Sequence, residues 1–133
     1  MPAHLTMFRS LPPSTEDEAR RSLAKAAARA APAARTSGII DLDGGVAIRI
    51  DSPGLEEIRD ELAGQFRGLL TAQDAGRWTP HVTIQNKVEQ RAARKLVQAM
   101  REAFEPRPVG IAGLQLVRYS DGGRTPVASW RFR

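Results

Sequence analysis

One ordered series of signals occurs twice in this chain, and any fold must place both copies. Each copy opens on a His-x-Thr tripeptide: His4-Leu5-Thr6 followed by Met7, and His81-Val82-Thr83 followed by Ile84. These are the only two histidines in the sequence. Alternate side chains of an extended strand share a face, so each tripeptide predicts a strand with imidazole and hydroxyl on one side and apolar residues on the other. A single strand histidine is ordinarily a satisfied, half-buried ring. A matched pair with threonine two places on is a compact way to offer two imidazoles and two hydroxyls to one phosphate.

The remaining signals follow each tripeptide in the same order. After the first come a turn at Leu11-Pro12-Pro13 and the capping run Ser14-Thr15-Glu16-Asp17-Glu18, which predicts a helix to about Ala31. Ile39, Ile40 and Leu42 then predict one strand, Asp43-Gly44-Gly45 a hairpin turn, and the alternation of Val46, Ile48 and Ile50 a second strand. Between the copies, Ser52-Pro53 starts a helix running to Leu70, with Leu55, Ile58, Leu62, Phe66 and Leu69 as its apolar stripe. The second copy reads as a strand from His81 to Gln85 and a helix from Glu89 to Phe104, whose core side is Ala92, Leu96, Ala99, Met100 and Ala103. A strand from Ile111 to Tyr119, a turn at Ser120-Asp121-Gly122-Gly123 and a strand from Val127 to Phe132 close it.

The expected fold is therefore α+β: a duplicated, bilobal unit with two antiparallel sheets flanked by helices around a central groove. The two motif strands would face each other about a pseudo-two-fold axis. Residues 1–133 are read as a single domain, with lobe halves of roughly 1–51 plus 109–133 and 52–108. A strand and a helix precede the second motif, whereas only Met1-Pro2-Ala3 precede the first. By symmetry a strand and helix are expected to be missing there, leaving a sheet edge unpaired. The expected state is a monomer, with pairing through that edge as the route to a dimer.

Composition narrows the chemistry. The absence of cysteine removes disulfides, thiolate metal sites and a cysteine nucleophile, and two histidines give little basis for a metal centre, so neither metal nor cofactor is expected. The net charge of +5 comes almost wholly from arginine, since Lys25, Lys87 and Lys95 are the only lysines. That balance suits an anionic partner, although an alanine- and arginine-rich run such as residues 26–31 also fits a plain compositional bias. No apolar run reaches membrane-spanning length and Met1–Arg9 lacks the pattern of a secretory signal, so a cytoplasmic protein is expected. Gly44-Gly45 and Gly122-Gly123 lack the Gly-Lys-Ser/Thr that would make a phosphate-binding loop.

The paired His4-Leu5-Thr6 and His81-Val82-Thr83 resemble the signature of the 2H phosphoesterase superfamily, in particular bacterial proteins of the 2′-5′ RNA ligase family. The wider stretches Trp78-Thr79-Pro80-His81-Val82-Thr83-Ile84-Gln85-Asn86-Lys87 and Arg118-Tyr119-Ser120-Asp121-Gly122-Gly123 extend the resemblance over nearly the whole chain. The departure is the strand and helix that family members carry before their first motif. The resemblance implies a bilobal α+β fold with both histidines in a central groove. It also implies action on 2′,3′-cyclic phosphates of RNA ends or small nucleotides, or on 2′-5′ linkages.

Ring opening of a cyclic phosphate needs one group to remove a proton and another to donate one, roles that His4 and His81 can divide. Thr6 and Thr83, on the same faces, would hydrogen-bond the non-bridging oxygens. Gln85 and Lys87 continue the His81 face, Phe8 continues the His4 face, and Arg118 and Tyr119 lie on the last hairpin; these are the candidate substrate contacts. Trp78 and Trp130 read as packing anchors. The alternative is a non-catalytic nucleotide- or RNA-binding module, or an inactive shortened homologue.

Overall fold

The computed structural model describes residues 3–85 and 89–133. A 3₁₀ turn at Pro13–Thr15 leads into α1 (Glu16–Ala27), whose first turn carries Glu16, Asp17 and Glu18 where the helix dipole favours negative charge. The helix stops short of the expected Ala31. Pro32 disfavours helical backbone at the residue before it, and the chain turns toward β1 (Ala34–Asp41).

β1 and β2 (Val46–Asp51) form the predicted hairpin. Asp43 and Gly44 take φ of 55° and 124°, as a turn matched to strand twist requires, and the Leu42 N–H donates to the Gly45 carbonyl at 3.0 Å. Ser52 caps α2 (Pro53–Gln65): its hydroxyl accepts from the Leu55 N–H and donates to the Ala33 carbonyl, with no exposed surface left. Leu55, Ile58, Leu62 and Phe66 are buried as expected, but Leu69 is 45% exposed. The helix ends at Gln65, and Gly68 at φ 86° redirects the chain, so Leu69 never joins the stripe.

Beyond the one-turn helix α3 (Ala72–Ala75), β3 (His81–Gln85) returns to pair with β2. Next comes α4 (Gln90–Ala103), capped by the Glu89 carboxylate, which accepts from the Arg91 and Ala92 N–H groups. Its core face differs from the expected one. Ala93 and Val97 are buried with Leu96 and Met100 at their flank, while Ala92, Ala99 and Ala103 are exposed. Alanine tolerates either side, so an alanine-rich periodicity leaves the face undetermined by tens of degrees.

The short β4 (Pro108–Val109) adds to β1, giving a four-stranded antiparallel sheet in the order β3-β2-β1-β4. β5 (Gly113–Ser120) and β6 (Gly123–Arg131) form a separate two-stranded sheet. β6 starts earlier than expected and contains Pro126, accommodated beside an irregularity between Leu116 and Val117.

Among the described residues the architecture is α+β, with two antiparallel sheets and four α-helices. The two copies exchange parts. α1, which follows the first motif, packs on β5 and β6, whereas α4, which follows the second, packs on β1 and β2. α2 joins them: Ile58 and Leu62 share a buried cluster with Ala26 and Ala27 of α1 and Leu114 of β5.

One expected element is absent. Residues 4–8 form no strand, although Met7 and Phe8 pack against the same buried cluster together with Trp130 and Phe132. The reason is visible in their main-chain partners. The Thr6 and Met7 carbonyls accept from side chains of Trp78 and Arg59, and the Arg9 and Ser10 N–H groups donate to the Asp74 carboxylate, so side chains take the place of a strand ladder at these groups.

Candidate active site

The second motif is held by ordinary sheet pairing. His81 lies opposite Arg49 and Thr83 opposite Ala47 in the β2–β3 ladder, while Val82 lies opposite Ile48. Residues directly opposite in an antiparallel pair share a face. His81, Thr83 and Arg49 therefore project together, away from the face on which Ile50 is buried. His81 is half-buried, and Thr83 and Gln85 are exposed. The Nδ1 of His81 lies 2.8 Å from the Thr79 carbonyl oxygen. A carbonyl only accepts, so this contact places a proton on Nδ1 and leaves Nε2 as the nitrogen available to a substrate.

The first motif keeps the predicted alternation without being a strand: His4 and Thr6 are exposed, and Leu5 and Met7 partly buried. Its backbone is carried by a cradle from α2, α3 and the lead-in to β3. The Trp78 indole Nε1 donates to the Thr6 carbonyl at 2.9 Å, and the Arg59 Nε donates to the Met7 carbonyl at 3.1 Å. The N–H groups of Arg9 and Ser10 donate to the Asp74 carboxylate, at 2.9 and 3.0 Å from Arg9 and 3.0 Å from Ser10. Arg59 closes the cradle by donating from Nη2 to the Asp74 carbonyl at 2.6 Å, with its guanidinium 4.4 Å from the Phe8 ring centre and 5.4 Å from that of Trp78. Trp78 is only three residues before His81, so a single hydrogen bond ties one motif to the approach of the other.

Arg59 and Asp74 are 6% and 3% exposed. Burial pushes the Arg59 guanidinium below its ordinary value, while the carboxylates of Asp74 and Asp60 act in the opposite direction. Thr71 caps α3, its hydroxyl accepting from the Asp74 N–H. Beside the cradle a cleft of about 620 Å³ opens between β2, α2 and residues 76–80, lined by Arg49, Arg77 and Trp78 and by the carboxylates of Asp51, Glu56 and Asp60.

The other expected contacts have partners of their own. Phe8 packs against the core and carries Arg59 on its ring. Arg118 donates to Glu16 at 2.7 Å, and Tyr119 is 62% exposed with Arg124 over its ring. Lys87 lies outside the described residues. Among the described residues no group of three or more His, Asp and Glu side chains is arranged to hold a metal ion, and no helix is long and apolar enough to cross a membrane.

Sequence reasoning missed Arg59, Asp74 and Arg49. Arg59 interrupts the apolar stripe of α2 between Ile58 and Leu62, which is the mark of a buried charge with a partner. Arg49 could have been found from the alternation of Val46, Ile48 and Ile50, which leaves it on the His81 face. Asp74 sits in a Thr-x-x-Asp capping pattern, but its partners 64 and 65 residues away carry no local signal.

A four-stranded and a two-stranded antiparallel sheet, flanked by helices and bridged by α2, define the 2H phosphoesterase-like class of α+β proteins. The family model of the 2′-5′ RNA ligase superfamily matches residues 1–123, and the chain belongs to that superfamily. No curated protein matches the chain.

Proposed function

We propose that this protein is a metal-independent phosphodiesterase that opens 2′,3′-cyclic phosphates on RNA ends or small nucleotides, with His4 and His81 as its proton-transfer pair. The observation that carries this reading is the Thr6–Trp78 hydrogen bond, which ties the first His-x-Thr segment to the approach of the second, the threonines of both being exposed. Membership of the superfamily supports the same chemistry.

In the reaction, water attacks phosphorus in line with one ring oxygen. A neutral imidazole takes the water proton as the new P–O bond forms, and a protonated imidazole gives its proton to the ring oxygen as the old bond breaks. The result is a phosphomonoester beside a free hydroxyl. The Thr6 and Thr83 hydroxyls donate to the non-bridging oxygens as their charge grows, and Arg49, on the His81 face, adds a cation to the same anion. A ribose 5′-hydroxyl in the place of water would form a 2′-5′ linkage by the same line of attack. Gln85, Lys87, Phe8, Arg118 and Tyr119 are the candidates for contact with the rest of the nucleotide.

His4→Ala and His81→Ala are each expected to lower kcat on a 2′,3′-cyclic mononucleotide by about a hundred- to ten-thousand-fold in the presence of EDTA, with the thermal melt retained. The parent's rate should be bell-shaped in pH. Full activity in either variant refutes the paired-histidine mechanism, and ligand binding without turnover in the parent would identify a binding module.

A further inference from the structure

The two halves of the proposed site are held by different means. β3 fixes the second motif through its ladder with β2, whereas the segment carrying the first motif is tethered at Thr6, Met7, Arg9 and Ser10 by side chains. Two buried, oppositely charged residues supply most of those tethers. Asp74 accepts from the Arg9 and Ser10 N–H groups, downstream of the motif, and Arg59 donates to the carbonyl of Met7 while stacking on Phe8. Arg59 also grips the Asp74 main chain and lies beside Trp78, so the same guanidinium touches the residues that follow the first motif, α3 and the approach to the second motif.

We propose that Arg59 and Asp74 are positioning residues that register the first His-x-Thr segment against the second, so that the distance between the two histidines is set by this pair. The inference rests on the catalytic reading above and adds residues that touch no substrate.

A merely architectural role makes different demands. The buried core of α2 is complete without Arg59, since Leu55, Ile58, Leu62 and Phe66 fill its stripe. Nor is a charged fork needed for packing alone. The fork geometry is what lets one side chain serve the Met7 carbonyl through Nε and the Asp74 carbonyl through Nη2, and an ammonium on a flexible stem cannot reproduce both bonds and the stacking. The Asp74 carboxylate has only acceptors, which is what three N–H contacts from two residues require. An amide in its place turns a donor toward at least one of them.

The test compares Asp74→Asn and Arg59→Lys with Ser52→Ala, which weakens α2 at its cap and leaves the cradle untouched. Two readings are taken on the full chain: steady-state hydrolysis of a 2′,3′-cyclic mononucleotide, and amide hydrogen exchange at Arg9 and Ser10, which needs no turnover. Asp74→Asn and Arg59→Lys are expected to lower kcat ten- to a hundredfold with KM changed less than about threefold. Asp74→Asn should also speed exchange at residues 9 and 10 at least tenfold. Ser52→Ala should keep the parent's kcat despite a lower melting temperature. In a His4→Ala background, Asp74→Asn should bring no further loss. If kcat and exchange in Asp74→Asn match the parent while both histidine variants are inactive, the positioning role alone is overturned. If kcat falls in step with melting temperature across all three variants, the role is stability and the proposal is also overturned. Full activity of His4→Ala would instead overturn the catalytic reading, and this role with it.

Discussion

Ser52 shows what a single position can reveal before any fold is known. A serine followed by proline announces a helix start, and the hydroxyl is found capping α2 while also binding the Ala33 carbonyl. Ser52→Ala would leave that buried carbonyl and the Leu55 N–H without their partner. We expect a loss of about 1–2 kcal/mol, read from the midpoint of urea unfolding. Arg59 is the opposite case. Its place on an apolar stripe hints at burial, but the carbonyl it serves is 52 residues away, and a partner set by tertiary structure leaves no trace in local spacing. His81 falls between these: its neighbourhood on β3 was legible, but the Nδ1 contact with Thr79 depends on how the chain enters the strand.

Among the elements, both hairpins, α2 and β3 followed from period and turn chemistry, because each combines a strong apolar alternation with Gly, Pro or hydroxyl punctuation. The face of α4 was misjudged where alanines diluted the pattern, and α3 and β4 were too short to leave one. The first motif was expected as a strand because its alternation is sound. Alternation records which side is buried, and side-chain tethers can bury one side as well as a ladder does.

A further tie between elements, Glu16 of α1 to Arg118 of β5, was invisible for the same reason as the cradle. The hydrogen bond from Arg118 holds the Glu16 carboxyl below its ordinary value of 4.5, with Arg20 adding to the effect and desolvation opposing it. A lowered carboxyl in the folded state contributes stability that is present above the ordinary value and lost as pH falls through the lowered one. Glu16→Gln should therefore melt below the parent near neutrality and converge with it as the solution is acidified past the carboxylate range. The difference should be small because the pair is exposed, and it should shrink further in salt.

Across the molecule, α1 of the first copy covers β5 and β6 of the second, and α4 of the second copy covers β1 and β2 of the first. That exchange makes the halves mutually dependent. A fragment of residues 1–75 would present the β1–β2 hairpin without β3 or α4, and α1 without β5 or β6. We expect it to show little cooperative unfolding by circular dichroism, and to recover native signal when mixed with residues 76–133. Order of elements was readable from the sequence because it is a property of the chain. The exchange was not, since an identical order permits each copy to close on itself.

The contrast between a laddered motif and a tethered one bears on how such a protein can be altered. Sliding β3 by one residue would turn His81 and Thr83 to the opposite side of the sheet, an all-or-nothing change. The segment from Thr6 to Ser10 is anchored by three replaceable side chains, so its placement can drift by small increments through ordinary point substitutions. One half of the proposed site is thus digital and the other analogue, and adaptation to substrates of different girth would be expected to proceed through the second.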